Sequence, residues 1–201
     1  MVVRSVSSGP LIAGIDEAGR GALAGPVIAA AVLWDPAAGA IEGLDDSKRL
    51  QPMRREVMEG LIKDRAVAWA IGRAEAGEVD RVNVLEASML AMERAYRSLT
   101  VVPDEVLVDG NRFPPLGCNG RAVVGGDGTI PAIMAASILA KVARDREMVL
   151  LDALYPHYGF LLHKGYPTRA HRQRLLAYGP CAVHRRTFAP VRACVEGPSS
   201  S

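Results

Sequence analysis

The sequence contains no apolar run approaching the roughly 18 residues that a membrane-spanning helix needs, so no spanning segment is expected. Near the start, the apolar stretch Leu11–Ile15 is too short for a secretory signal. Cysteine is scarce. Cys118, Cys181 and Cys194 are odd in number and lack metal-like spacing, which argues against a disulfide framework and for a reduced, cytoplasmic protein. The four histidines, His157, His163, His171 and His184, share no spacing, and none is assigned as a catalytic base. There is no internal repeat, and low-complexity stretches are few. The formal net charge is only +2.

What is present suits one ordered domain, or one domain plus an appendage. The 201 residues are 49% hydrophobic and 23% charged, enough to bury a core and too apolar for a disordered chain. Residues 1–10 and 197–201 read as loose ends. The charge is unevenly divided. Residues 141–201 hold 10 Lys/Arg against 4 Asp/Glu, a balance of +6, and residues 1–140 a balance of −4. An acidic body with a basic C-terminal third suits a metal site that faces a polyanion.

The chain is organised around GIDEAGRGALAGP at Gly14–Pro26. The apolar run Leu11–Ile15 reads as a buried strand ending at two acids, Asp16 and Glu17, and Val27–Trp34 as a second strand. A loop follows, with Asp45 or Asp46 as a cap. Residues Pro52–Asp64 place Met53, Val57, Leu61 and Ile62 at helical spacing behind a first-turn proline. Ala66–Ile71 alternates as a strand. Asn83 with Glu86 forms a capping-box pattern ahead of a long helix with the apolar stripe Leu85, Met89, Met92, Tyr96 and Leu99. Val106–Val108 is a short strand ending in Asp109. Arg121–Val124 is another, turning away through Gly125–Gly128. Pro131 opens a helix to about Leu154, with small residues Ala135, Ala136 and Ser137 early in it. A loop at His163–His171 leads to a short helix that Gly179 and Pro180 end. Strands alternating with helices predict a mixed α/β domain with a helical C-terminal portion.

Asp16, Glu17, Asp109 and Asp127 are the candidate site. Hard cations such as Mg²⁺ and Mn²⁺ prefer carboxylate oxygens, and gathered acids repel one another unless a cation is present. Two such ions can assist both the attacking water and the leaving oxygen of a phosphodiester. Neighbouring residues of a flat strand point to opposite faces, so Asp16 and Glu17 share a metal only if the strand bends or ends there.

These blocks resemble bacterial ribonuclease HII: DEAGRG at Asp16–Gly21, DSKRL at Asp46–Leu50, VLVDGN at Val106–Asn111, GGDG at Gly125–Gly128, AASILAKVARD at Ala135–Asp145 and HKGYPT at His163–Thr168. They occur in that family's order across about residues 11–192. The resemblance implies a ribonuclease H-like mixed central sheet flanked by helices, with a catalytic body over about 11–155 and a helical substrate-binding part over about 156–192. It implies cleavage, dependent on Mn²⁺ or Mg²⁺, of the RNA strand in RNA–DNA hybrids. It also implies incision on the 5′ side of single ribonucleotides in duplex DNA, leaving 3′-hydroxyl and 5′-phosphate ends, by a monomer.

Carried over by position, Asp16, Glu17, Asp109 and Asp127 match the four catalytic acids, with Asp16, Glu17 and Asp109 as metal ligands. Gly19, Arg20 and Gly21 match the segment that senses the 2′-hydroxyl, and Tyr166 the tyrosine that packs on the next sugar. Lys48, Ser137 and Lys164 are further substrate-binding candidates. The family usually has Lys-Gly-Asp-Ser around its fourth acid. Here Gly125-Gly126-Asp127-Gly128 lacks the lysine. Position 20 is Arg, where the related type 3 enzymes carry Lys.

Bland readings stand beside these. Asp109 before Gly110 could be a turn former, and Lys141 with Asp145 an ordinary i,i+4 pair. Lys164, Arg169, Arg185, Arg186 and Arg192 are expected to contact phosphates. The functional expectation is a hybrid-directed endoribonuclease; the rival is a catalytically silent hybrid-binding module on the same fold. Retention of all four acids speaks against the rival, because binding alone would not place like charges against a polyanion.

Overall fold

The computed structural model describes residues 9–39, 41–45 and 47–196. Of the loose ends expected at 1–10 and 197–201, all but Gly9 and Pro10 lie outside the described residues, as does Asp46. Five strands form one mixed sheet in the order β3-β2-β1-β4-β5. They are β1 (Ile12–Ala18), β2 (Val27–Trp34), β3 (Ala68–Ala74), β4 (Glu105–Asp109) and β5 (Gly120–Val123). The first three pair antiparallel, whereas β1, β4 and β5 run parallel.

All eight residues of β2 are buried, because helices cover both faces and alternate side chains serve each layer. Val27, Ala29, Ala31 and Leu33 face α3 (Val84–Arg97) beside Met89 and Met92. Ala30, Val32 and Trp34 face α1 (Pro52–Arg65) and α4 (Pro131–Leu154) beside Met58, Ile62 and Leu139. Gly14 sets how closely α4 approaches. A Cβ there would lie 2.1 Å from the Ala132 carbonyl carbon, so the first turn of α4 rests directly on the β1 backbone.

Three local expectations change. The strand β1 does not end at the acids but continues to Ala18, still paired with Ile28 of β2. On α1, Met53 is 79% exposed and Val57 51%, while Arg55, Met58, Glu59 and Ile62 are buried. Charged anchors override the apolar pattern here. Arg55 donates to the Ser47 carbonyl at 3.0 Å and Glu59 receives Arg146 at 2.8 Å. At α3, Asn83 accepts from the Leu85 and Glu86 amides at 2.9 and 3.1 Å, but Glu86 pairs with Arg112 instead of closing the box. The reciprocal box forms at Glu75 and Glu78, opening the further helix α2 (Ala76–Val82).

Beyond α4, the chain forms α5 (Phe160–His163), α6 (Arg169–Tyr178) and α7 (Ala189–Glu196). Tyr158 and Phe160 pack on Ala24, Met148 and Leu151. Leu175 and Val191 pack on Leu23. The C-terminal helices are thereby fastened to the Gly19–Pro26 turn. No helix among the described residues is long and apolar enough to cross a membrane.

Candidate active site

The parallel strands β1 and β4 bring Asp16 and Asp109 to one end of the sheet. Asp127 follows on the short 3₁₀ turn Gly126–Gly128, tied back by its amide to Asp109 Oδ1 at 3.2 Å. One carboxylate oxygen from each of Asp16, Asp109 and Asp127 lies within 4.8 Å of the others. Asp16 is 5% exposed and accepts from the Glu17 amide at 2.7 Å. Burial raises its carboxyl well above the usual range, and Glu17 and Asp109 add repulsion. Burial also raises Asp109, with Asp127 adding repulsion. These are acids held at a cost that a cation would relieve.

Glu17 stands apart from that trio. Its backbone pairs opposite Ala29, on the α3 face, while Asp16 pairs opposite Ala30, on the α4 face. The two acids therefore leave β1 on opposite sides, as strand geometry dictates. Near the strand end both still line one cleft of about 310 Å³, together with Gly19, Arg20, Gly21, Ser47, Lys48, Asp109, Ser137, Lys141 and Tyr166. Glu17 Oε1 pairs with Arg20 Nη1 at 3.2 Å. Burial raises the Glu17 carboxyl and Arg20 opposes that rise.

Lys48 donates from Nζ to Asp127 Oδ2 at 2.8 Å. Buried Ser137 shares a 2.8 Å hydroxyl contact with Ser47. Lys141 also lines the cleft but is ion-paired to Asp145 at 2.6 Å. Lys164 is elsewhere, in an adjoining groove with Glu56, Asp145, Arg146 and Leu162.

Several residues carry roles that spacing did not reveal. Arg185, read from sequence as a phosphate contact, is fully buried and donates to main-chain carbonyls of Arg20 and Gly25. Arg186 and Arg192 remain exposed. His171 and His184 are also buried, and their Nε2 atoms lie 3.1 Å apart. The Cys181 amide donates to His184 Nδ1 at 3.0 Å, so the pair orders itself: His184 Nε2–H donates to His171, whose Nδ1–H donates to the Tyr166 carbonyl at 3.0 Å. The histidines share no spacing in the sequence, and their burial follows from contacts between distant segments, so no signal along the chain pointed to the pair.

The ribonuclease HII family model matches residues 13–191. A ribonuclease HII from Nitrosococcus oceani is 59% identical over 188 residues, covering 94% of this chain and 93% of that protein. One from Methylococcus capsulatus is 58% identical over 191 residues, covering 95% and 98%. Among solved structures, the ribonuclease H2 of Pyrococcus horikoshii superposes with a TM-score of 0.75 at 27% identity, covering 92% of this chain and 97% of that one. The ribonuclease H-like sheet, the acids at its end and this similarity over nearly the whole chain agree: the protein belongs to the ribonuclease HII family.

Proposed function

We propose that this protein hydrolyses the RNA strand of RNA–DNA hybrids and incises duplex DNA on the 5′ side of a single ribonucleotide, leaving a 3′-hydroxyl and a 5′-phosphate. The observation that carries this reading is the convergence of Asp16, Asp109 and Asp127 at a cleft that also holds Gly19, Arg20, Gly21 and Tyr166. An all-oxygen donor set of partly buried carboxylates fits Mg²⁺ or Mn²⁺. Asp16, Glu17 and Asp109, which line one cleft, would hold the cation with Asp127 assisting, Asp127 bringing a carboxylate oxygen within 4.8 Å of those of Asp16 and Asp109. A divalent ion bound there would offset the carboxylate charge and polarise the phosphodiester.

The chain's own groups do the rest. Arg20 and the backbone of Gly19 and Gly21 read the 2′-hydroxyl, the group that separates RNA from DNA. Tyr166 packs on the following deoxy sugar. Lys48, beside Asp127, offers a cation to the phosphate. Ser137, linked to Ser47, fixes the Lys48 segment against α4. Lys164 contacts the duplex beyond the cleft. The helical part over about 156–192 carries substrate-binding groups, and the protein acts as a monomer in the cytoplasm.

The test is a duplex with one embedded ribonucleotide, incubated with and without Mn²⁺, and the cut mapped at nucleotide resolution. Cleavage only with metal, on the 5′ side of the ribonucleotide, is expected. Tight binding without cleavage at any metal concentration would favour a silent hybrid-binding module.

A further inference from the structure

The turn from Gly19 to Pro26 directs four carbonyls into the protein, and two fully buried arginines receive them. Arg185 donates through Nη1 to the Arg20 carbonyl at 2.9 Å, and through Nε and Nη2 to the Gly25 carbonyl at 3.0 and 2.8 Å. Arg144 of α4 donates through Nε to the Pro26 carbonyl at 3.2 Å and through Nη2 to the Ala24 carbonyl at 3.3 Å. Neither guanidinium makes an ion pair among the described residues. Burial pulls Arg185 down to about 9, with Arg144 adding repulsion, so Arg185 remains a cation at neutral pH; burial lowers Arg144 as well.

We propose that Arg144 and Arg185 are positioning residues for ribose recognition, which hold the Gly19–Pro26 turn with one face to the cleft and seat the Tyr166 ring beside it. A peptide unit is planar and trans, so its carbonyl and the next amide point in opposite directions. The Arg20 carbonyl points inward at Arg185; the Gly21 N–H therefore points outward, on an exposed residue that lines the cleft. Rotating that peptide would turn an acceptor to the substrate where a donor now stands. Gly19, at φ +99°, has room for no side chain: a Cβ would lie 2.0 Å from Arg144 Nε. The turn is shaped to the guanidinium.

Arg144 also reaches the second reading element. Its Cζ lies 5.2 Å from the centroid of the Tyr166 ring, an approach suited to a cation on an aromatic face. The two elements are joined directly, because the Leu23 amide donates to the Gly165 carbonyl at 2.8 Å. Among the described residues Arg144 Nη1 makes no hydrogen bond, so its guanidinium is only partly used by the turn carbonyls and also lies against the Tyr166 ring. Arg185 stacks similarly on Phe188, 5.3 Å from the ring centroid.

This inference rests on the reading of the cleft given above. Its test is the ratio of Kd values for two duplexes that differ by one 2′-hydroxyl, measured without divalent metal, so that repulsion from the acids is common to both. Arg144→Lys and Arg185→Lys keep a charge but replace the rigid fork by a point donor. Each should lower the wild-type ratio by about tenfold or bring it to unity, since an unheld donor no longer selects the hydroxyl. Met92→Ala, a cavity in the distant α3 core, should lower Tm and leave the ratio unchanged. If a lysine variant fails to fold, Phe188→Leu carries the test, because it removes the ring against Arg185 and keeps the core apolar. A discriminating wild type whose variants discriminate equally well overturns this inference alone. A wild type that does not distinguish the duplexes overturns the reading of the turn and this inference with it.

Discussion

Lys48 Nζ sits 2.8 Å from Asp127 Oδ2, across 79 positions of sequence. A cation thus stands beside the fourth acid although the local Gly125-Gly126-Asp127-Gly128 run lacks the lysine usual in the family. Gly125 itself has φ 70° and ψ 28°, the left-handed region. A side chain there meets no atom within 4 Å, but a non-glycine residue costs roughly 1–2 kcal/mol in that conformation. Gly125→Lys is therefore expected to lower Tm and not to raise kcat/KM, whereas Lys48→Ala should weaken both binding and cleavage. A Gly125→Lys enzyme that is faster and equally stable would show that Lys48 does not fill the missing role.

Asp109→Asn removes one of three converging carboxylates. Loss of cleavage by about 10²-fold or more is expected, the scale for removing one group that stabilises transition-state charge, with duplex binding intact or tighter. Activity within about threefold of wild type would remove Asp109 from the site. The same change has a stability signature without metal. Because the folded-state carboxyl is raised by burial, its ionisation opposes folding at neutral pH, and stability recovers as pH falls toward the unfolded value. The asparagine variant should lack that recovery and be more stable at neutral pH, as read by Tm in a chelator.

Much of this was legible along the chain, and the exceptions share a cause. Asp16 and Asp109 stand out because apolar strands run into them, and the parallel pairing of β1 with β4 is what brings them together. The α1 face was misjudged because Arg55 and Glu59 are buried by partners at Ser47 and Arg146, and long-range pairing leaves no period. Arg185 looked like a surface charge beside exposed Arg186. Only the turn 160 residues earlier explains why it is inside. The opposite-face problem of Asp16 and Glu17 was foreseeable from strand geometry. That Glu17 then pairs with Arg20 was not.

His171 and His184 predict acid sensitivity. Burial is the main cause that lowers each to about 4, below the unfolded value near 6.5. Between those values the unfolded chain binds more protons, so stability is full above about pH 6.5 and is lost as pH falls toward 4. The two rings touch, so the loss belongs to the pair and not to either ring alone. His184→Gln should flatten it, measured as the change in Tm from pH 7 to pH 4.5 relative to wild type. The raised acids act oppositely over the same range, which is why the comparison between variants, and not the wild-type slope alone, is decisive.

Salt dependence separates the arginines of the C-terminal third. Exposed Arg186 and Arg192 are free to meet phosphates, while buried Arg185 is not. The double variant Arg186→Ala, Arg192→Ala should reduce the log–log slope of affinity against salt by about 0.9 for each lost contact. Truncation after Pro180 would be a poor substitute, since it also removes the support of the Gly19–Pro26 turn. An unchanged slope in the double variant would place the duplex away from this end of the molecule.

Tyr166 should decide between an RNA-to-DNA step and RNA as such. Its main chain is pinned on both sides: the amide donates to the His163 carbonyl at 2.9 Å, and the carbonyl accepts from His171. Removing the ring therefore need not unfold the loop. A phenol ring packed flat on a deoxy sugar would be crowded by an added 2′-hydroxyl, while the turn at Arg20 requires that hydroxyl on the preceding nucleotide. Rejection by bulk is worth about 1–3 kcal/mol, or roughly 10- to 200-fold. Tyr166→Ala should accordingly lose most kcat/KM on a single embedded ribonucleotide and least on a continuous hybrid. Tyr166→Phe, which keeps the ring above Arg144, should retain most of the preference. Equal proportional losses of Tyr166→Ala on both duplexes would mean that the ring only supports the fold, and that reading of the junction belongs to another residue of the cleft.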